Sequence, residues 1–531
     1  MSIFYKFTNL IAFATLVSNS TCQEDTFLYD TFPPGFQWGF SSSSYQIEGA
    51  WKEDGKGVNI WDTFVHRIPS PIPDKSNADI GCDSYHKYDH DVSLLKYIGA
   101  GVYRFSLSWT RILPTGRIDQ INPAGIRYYN NLINLLLANG IEPMITLHHW
   151  DLPQPLQDLG GWPNENVIQH YSNFANLAFH TFGDRVKKWI TFSEPNVMCL
   201  NGYITRTYAP GHKNVNEAIN CARNVIISHA RVYRIYDRVF RPLQGGKVGM
   251  SLSSYWLQPK DPQNPEHRKS AEFWMHIEWG LFAFPIVFGS YNDETKQLLG
   301  KLRKFKLTSA PVEFTAEESV EIKVLNIPNY TNYESKDFLK CPHVLQILGS
   351  YDFWGLNHYS TYLVEPTKVT TSILHGDFIG LFLGAKISFD PTWPKSAIPH
   401  TPSVPWGFRK MLNWINQGYG SPEIYIMENG YPDSPNTGLE DVARVKFHRD
   451  YINEMLKAVK IDGVQVTMYT AWGLLDCFEW SYGYTVNFGV VYVNHSHPER
   501  PRTPKLSATC LQQIFSDNGF PHENFSPLKI N

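Results

Sequence analysis

Cysteine is scarce in this chain. Seven thiols (Cys22, Cys82, Cys199, Cys221, Cys341, Cys477 and Cys510) are spread over 531 residues, too few for a disulfide-built scaffold and odd in number if all were to pair. Cys199 and Cys221 are a candidate bridge. No CxxC pair or spaced Cys/His set occurs, which argues against a structural zinc. Beyond the N-terminus no apolar run is long enough to cross a bilayer. Neither sign of charge predominates: 47 Lys+Arg against 50 Asp+Glu leave a net charge of −3, a mixed balance that argues against nucleic acid as a partner. No Ser/Gly-rich linker, charge block, low-complexity tract or internal repeat divides the chain. One large domain is therefore favoured over the several that the length allows.

What is abundant is aromatic. The 16 Trp, 29 Tyr and 32 Phe suit a large core and also stacking on sugar faces. At the N-terminus Lys6 precedes the apolar run Leu10 to Val17 and small polar residues up to Thr21. This reads as a secretory signal over residues 1–21, leaving residues 22–531 as the folded domain. Sequons at Asn329, Asn494 and Asn524 are compatible with a glycosylated, secreted or lumenal protein.

Eight short apolar stretches predict strands: Phe36–Ser44, Gly101–Ser108, Glu142–His149, Lys188–Glu194, Lys247–Ser253, Tyr351–Asn357, Glu423–Glu428 and Val464–Trp472. Helical periodicity lies between them. It is clearest from Pro123 to about Asn139, with Asn122 as cap, Gly140 as stop, and Ile126, Tyr129, Ile133, Leu136 and Leu137 on one face. Strand and helix alternating eight times predicts an α/β fold, a single (β/α)8 TIM barrel. Two stretches, about 299–341 and 367–405, show no clear period and are read as long loops over the barrel mouth.

This register places His149, Glu194, Asn357, Glu428 and Trp472 at the C-terminal ends of strands, where barrel enzymes keep their chemistry. Glu194 and Glu428 each close an apolar run before a turn. Paired carboxyls of this kind serve retaining glycosidases, in which they stand about 5–5.5 Å apart as nucleophile and acid/base. His148 and His149 point to opposite sides of a strand and cannot both chelate one ion. His148 is expected behind the barrel, and neither a metal nor a cofactor is expected.

The motifs in chain order are Phe36-Gln37-Trp38-Gly39, Tyr45-Gln46-Ile47-Glu48-Gly49-Ala50, Tyr103 to Trp109, His149-Trp150-Asp151-Leu152-Pro153, Thr191-Phe192-Ser193-Glu194-Pro195, Gly355 to Tyr359, Ile426 to Gly430 and Trp472 to Trp480. Together they resemble glycoside hydrolase family 1, the β-glucosidase family, over Phe32 to about Pro504, and look like a secreted animal-type member. The resemblance implies that Glu428 is the nucleophile and Glu194 the acid/base. It implies that Arg104 and Tyr359 hold Glu428 charged, and that this charge raises the pKa of Glu194. It also implies that Gln46, His149, Asn357, Glu479 and Trp480 bind the glycone, with Trp472 stacked beneath it. A carboxyl at Glu479 points to an unphosphorylated hexose.

Some positions depart from the family pattern. Ser193 stands where asparagine usually binds the sugar 2-hydroxyl, Met427 where threonine is common, and Gly473 and Cys477 where serine and asparagine are frequent. The leading reading is a retaining β-glycosidase acting on small-molecule β-D-glucosides. A thioglucosidase (myrosinase) acting on glucosinolates, with Arg206 as candidate sulfate partner, and a catalytically silent sugar-binding relative are the alternatives. Aglycone and oligomeric state are not legible, a homodimer being one option.

Overall fold

A computed structural model describes residues 26–314, 347–367 and 384–522. The proposed signal segment and the sequons at Asn329 and Asn524 lie outside the described residues. Eight parallel strands close into one barrel: β1 (Gln37–Ser41), β2 (Val102–Ser106), β3 (Glu142–His148), β4 (Lys188–Ser193), β5 (Lys247–Ser253), β6 (Phe353–Asn357), β7 (Ile424–Glu428) and β8 (Val466–Trp472). Every neighbour in the ring is a neighbour in sequence, and β1 pairs with β8 to complete it. This is the (β/α)8 TIM barrel expected from the sequence.

The core has two parts. Between strands and outer helices lies the main apolar mass. Inside the barrel, Val102, Met144, Ile190, Phe353, Tyr425, Met427 and Met468 form a separate plug. A barrel interior is a packed core and not a pore.

The helix Pro123–Ala138 follows the predicted rules: the Asn122 side chain accepts from Ala124 N, Pro123 takes the first position, and Gly140 turns left-handed at φ 73°. Its buried stripe, however, is Gly125, Tyr128, Tyr129, Leu132, Ile133 and Leu136, whereas Leu137 is 41% exposed. The face is rotated toward residues that the apolar count alone underweights, because Gly125 permits close approach: an added Cβ there would lie 2.0 Å from Arg111 O.

The two stretches read as loops need correcting in their described parts, residues 315–341 and 368–383 lying outside the described residues. The first opens inside a helix, Asp293–Lys304, which buries Thr295, Leu298, Leu299 and Leu302. Its cap, Asn292, accepting from Thr295 N, lies upstream of the stretch, so the period was cut in half. The second contains a strand, Ala385–Ser388, antiparallel to Thr361–Pro366, which pairs in turn with Trp256–Pro259. Four residues are too few to display an alternation.

Candidate active site

The two carboxylate strands share an irregularity that aims them. On β7, Ile426 pairs with Leu356 but Glu428 with Asn357, so Met427 is an extra residue. On β4 the register slips between Ile190 and Ser193. Strict alternation would send a residue beside an inward-facing neighbour to the outer face. Met427 belongs to the lumen plug, and the extra residue lets Glu428 face inward as well. On β4, Thr191 and Phe192 both face the outer helices: Thr191 Oγ1 bonds His229 Nδ1 at 2.7 Å and Phe192 packs on Trp162 and Tyr171. Bulges next to active sites re-aim side chains in this way.

Glu194 then turns left-handed at φ 47°, as do Trp150 at φ 74° and Trp480 at φ 51°. Such backbone costs of order 1–3 kcal/mol per residue and clusters at functional sites. All three residues line one cavity of about 570 Å³. Trp150 fixes the turn before Glu194 by donating from Nε1 to Ser193 O at 3.0 Å, and its ring packs 4.5 Å from that of Trp480.

Glu428 is 3% exposed and accepts from three side chains. Arg104 Nη1 and Ser193 Oγ (3.4 Å) reach Oε1, and Tyr359 Oη donates to Oε2 at 2.8 Å. Arg104 is itself aimed by Nε donating to Thr146 Oγ1 at 2.7 Å. An ionised carboxylate is acceptor only, and this donor set suits that form. Burial first, and the Glu428 charge second, push the Tyr359 phenol well up, so it stays a donor.

Glu194 sits in a different setting. Burial, and then the charge of Glu428, push its carboxyl up to about 8, against hydrogen bonds from Asn357 and Ser253 and the charge of Arg104. The Asn357 contact is Nδ2 to Oε1 at 3.0 Å, and Ser251 Oγ holds Asn357 Oδ1 at 2.7 Å. Two chemically identical groups are thereby separated: one held as an acceptor, one kept protonated at neutral pH.

His149, Glu194, Tyr359, Glu428, Trp472, Glu479 and Trp480 line the cavity. Gln46, Arg104, Ser193 and Asn357 stand behind them and act through hydrogen bonds. Gln46 Nε2 and Cys477 Sγ each donate to Glu479 at 3.3 Å, to Oε2 and Oε1 respectively. Burial pushes Glu479 up to about 8. As a neutral carboxyl it offers both a donor and an acceptor to the cavity. No Lys or Arg among the described residues lines the cavity. His148 packs behind the wall, accepting from Trp162 Nε1 at 3.2 Å. Arg206 is not among the described residues lining the cavity; it donates to Gly211 O at 3.4 Å within its own loop, where its backbone is left-handed at φ 65°. Cys199 and Cys221 are joined by a disulfide. No cluster of metal-ligating side chains occurs among the described residues.

Sequence reasoning passed over Tyr255, Glu278, His400 and Tyr482, all of which line the same cavity. Burial pushes Glu278 up to about 8, with the Tyr255 backbone amide donating to it. Its signal was available: a glutamate between Ile277 and Trp279, as apolar a setting as that of Glu194.

A sequence profile described as glycosyl hydrolase family 1 matches residues 28–520. Myrosinase 1 of Brevicoryne brassicae is 40% identical over 490 residues, 91% of this chain and 98% of that protein. Lactase/phlorizin hydrolase of Homo sapiens is 40% identical over 508 residues, and there the chain spans 95% of its own length but 25% of that larger protein. A solved β-glucosidase of Humicola insolens in complex with glucose superposes with a TM-score of 0.82 at 35% identity, covering 93% of this chain and all of that one.

Proposed function

The chain belongs to glycosyl hydrolase family 1 and is a glycoside hydrolase, and we propose that it is a retaining β-glycosidase cleaving unphosphorylated β-D-glucosides through a covalent glycosyl-enzyme intermediate. The observation that carries this reading is the inequality of the two glutamates: three donors converge on Glu428, while Glu194 is pushed up to about 8 beside it.

In the first step a Glu428 oxygen bonds to the anomeric carbon as the bond to the leaving oxygen breaks, and Glu194 gives its proton to that oxygen. The ester removes the charge of Glu428, so Glu194 is now acidic enough to remain ionised. In the second step Glu194 takes a proton from water, the water oxygen bonds to the anomeric carbon, and the Glu428 ester bond breaks. His149, Glu479 and Trp480 orient the glycone over Trp472, with Gln46 positioning Glu479 and Asn357 positioning Glu194 from behind. Ser193 bonds Glu428, and its short side chain leaves the 2-hydroxyl with one fewer amide partner than the family pattern provides.

A thioglucosidase is the second reading, supported by the likeness to an aphid myrosinase. Against it stands the absence of any Lys or Arg among the described lining residues that would meet a sulfate. A panel of nitrophenyl β-D-glucoside, the corresponding galactoside and a glucosinolate separates the readings. Turnover of the glucoside is expected. Faster turnover of the glucosinolate overturns the O-glucoside assignment, and no turnover of any of them favours a silent sugar-binding relative.

We also propose that residues 1–21 direct secretion and that residues 22–531 form the glycoside hydrolase barrel domain. The Cys199–Cys221 disulfide, a bond that persists in oxidising compartments, supports this, as does the sequon at Asn494. No helix among the described residues is long and apolar enough to cross a membrane.

A further inference from the structure

Glu278 lines the cavity, yet the two-step reaction gives it no part. It ends the helix Pro265–Glu278. Asn196 Nδ2 pins its backbone beside the end of β5 by donating to Ser253 O at 2.7 Å and to Glu278 O at 3.4 Å. Asn196 stands on the helix Pro195–Leu200, which the Cys199–Cys221 disulfide ties to the helix Val215–Ile235 along the cavity wall. Among the described residues no Lys, Arg or His pairs with the Glu278 carboxyl, which accepts from the Tyr255 backbone amide. Buried carboxyls are ordinarily paired, so this one is a cost that packing alone does not explain.

Its surroundings are aromatic. Trp274 lies one turn earlier on the same helix face and also lines the cavity. The Tyr255 ring, a further part of the lining, stacks on that of Tyr362 with centroids 4.3 Å apart and planes 20° apart, and the Glu278 charge acts on both phenols. A carboxyl set among aromatic faces, with no cation of the chain beside it, suits an ammonium: the rings attract its charge and the carboxylate pairs with it. The cavity as a whole points the same way. Glu194, Glu278, Glu428 and Glu479 line it, and no Lys or Arg among the described residues does. A sulfate or carboxylate on a ligand meets no counter-charge in that lining, whereas a protonated amine does.

We propose that Glu278, with Trp274 and Tyr255, recognises a protonated amine carried by the leaving group, so that the preferred substrates are β-glucosides of amine-bearing alcohols or phenols. The inference rests on the β-glucosidase reading above and narrows it. On binding, the ammonium N–H groups donate to the Glu278 carboxylate, and the proton that burial keeps on that carboxyl leaves to water.

The test is a set of phenyl β-D-glucosides bearing a para aminomethyl, aminoethyl or aminopropyl arm, each assayed at neutral pH beside the same arm ended by a hydroxyl. At the arm length that reaches Glu278, kcat/KM for the amine should exceed that for the hydroxyl by about tenfold or more. Acetylating the amine should abolish the advantage in the wild-type protein. Glu278→Gln, close in shape but unable to ionise, should bring the ratio down to unity, and circular dichroism with nitrophenyl β-D-glucoside turnover shows whether the variant is folded. Equal rates for amine and hydroxyl at every arm length, with nitrophenyl glucoside hydrolysed, overturn the amine site and leave the β-glucosidase reading standing. An advantage that survives acetylation, or that survives in the folded variant, also overturns it. Failure to hydrolyse any β-glucoside overturns the β-glucosidase reading itself.

Discussion

At the residue scale the site works by making like groups unlike. Arg104, Tyr359 and Ser193 converge on Glu428, whereas Glu194 has Asn357 Nδ2 against one oxygen and lies close enough to Glu428 to be raised by its charge. The consequence is a pH dependence of definite sign. In the proposed mechanism Glu194 carries a proton for the first step, and that proton is lost as pH rises through about 8. We expect kcat/KM to fall on the alkaline side with a midpoint near that value, about tenfold per unit beyond it. A midpoint in the ordinary glutamate range near 4–5 would remove Glu194 from the acid role. The two glutamates were legible in sequence because each stands alone at the end of an apolar run. Glu278 stands in an equally apolar run but on a helix, where a strand-end rule does not look, and that is why it was missed.

Individual elements matter here through where they stop and how they slip. The β7 irregularity turns Glu428 to the cavity and that of β4 turns Ser193 toward Glu428, yet nothing in a run such as Ile424 to Glu428 announces an extra residue. Register is a property of the pair, and the partner strand lies about 70 residues away in sequence for β7. Arg206, close to Glu194 in sequence, donates to Gly211 O within its own loop and is not among the described residues that line the cavity. The Cys199–Cys221 bridge closes a loop spanning 22 residues of sequence. By loop-closure entropy it contributes about 3 kcal/mol. Replacing both cysteines by serine is therefore expected to lower the free energy of unfolding by about that amount in urea titration. A change below about 0.5 kcal/mol would mean that the helices hold the wall without it.

For the whole molecule, the buried titratable groups set the pH of greatest stability. Glu194, Glu278 and Glu479 are each raised to about 8. Stability from such groups is complete below their unfolded value of about 4.3 and is lost as pH rises through the folded one. Buried His148, His358 and His448 are depressed to about 3 and His229 to about 4. Their contribution is present above the unfolded value of about 6.5 and is lost as pH falls toward the folded one. The two trends oppose each other between about 4.3 and 6.5. Above that window only the carboxyls act, so Tm is expected to peak near pH 6 and to decline by pH 8. A Tm still rising from pH 7 to 9 would contradict the burial of the three carboxyls as neutral groups. The barrel itself was legible because eight repeats of strand and helix leave few alternatives. The helix at 293–304 and the small sheet through 385–388 were not, since one began outside the aperiodic window and the other is too short to show a period.

The central claim is that Glu428 forms the covalent bond while Glu194 moves the proton. A 2-deoxy-2-fluoro-β-D-glucoside with a good leaving group slows both steps and traps the ester. Peptide mass spectrometry of the inactivated protein should find one fluoroglucosyl group, on Glu428 in the segment Ile424 to Gly430. A label on Glu194 or Glu278, or steady turnover with no label, would contradict the account.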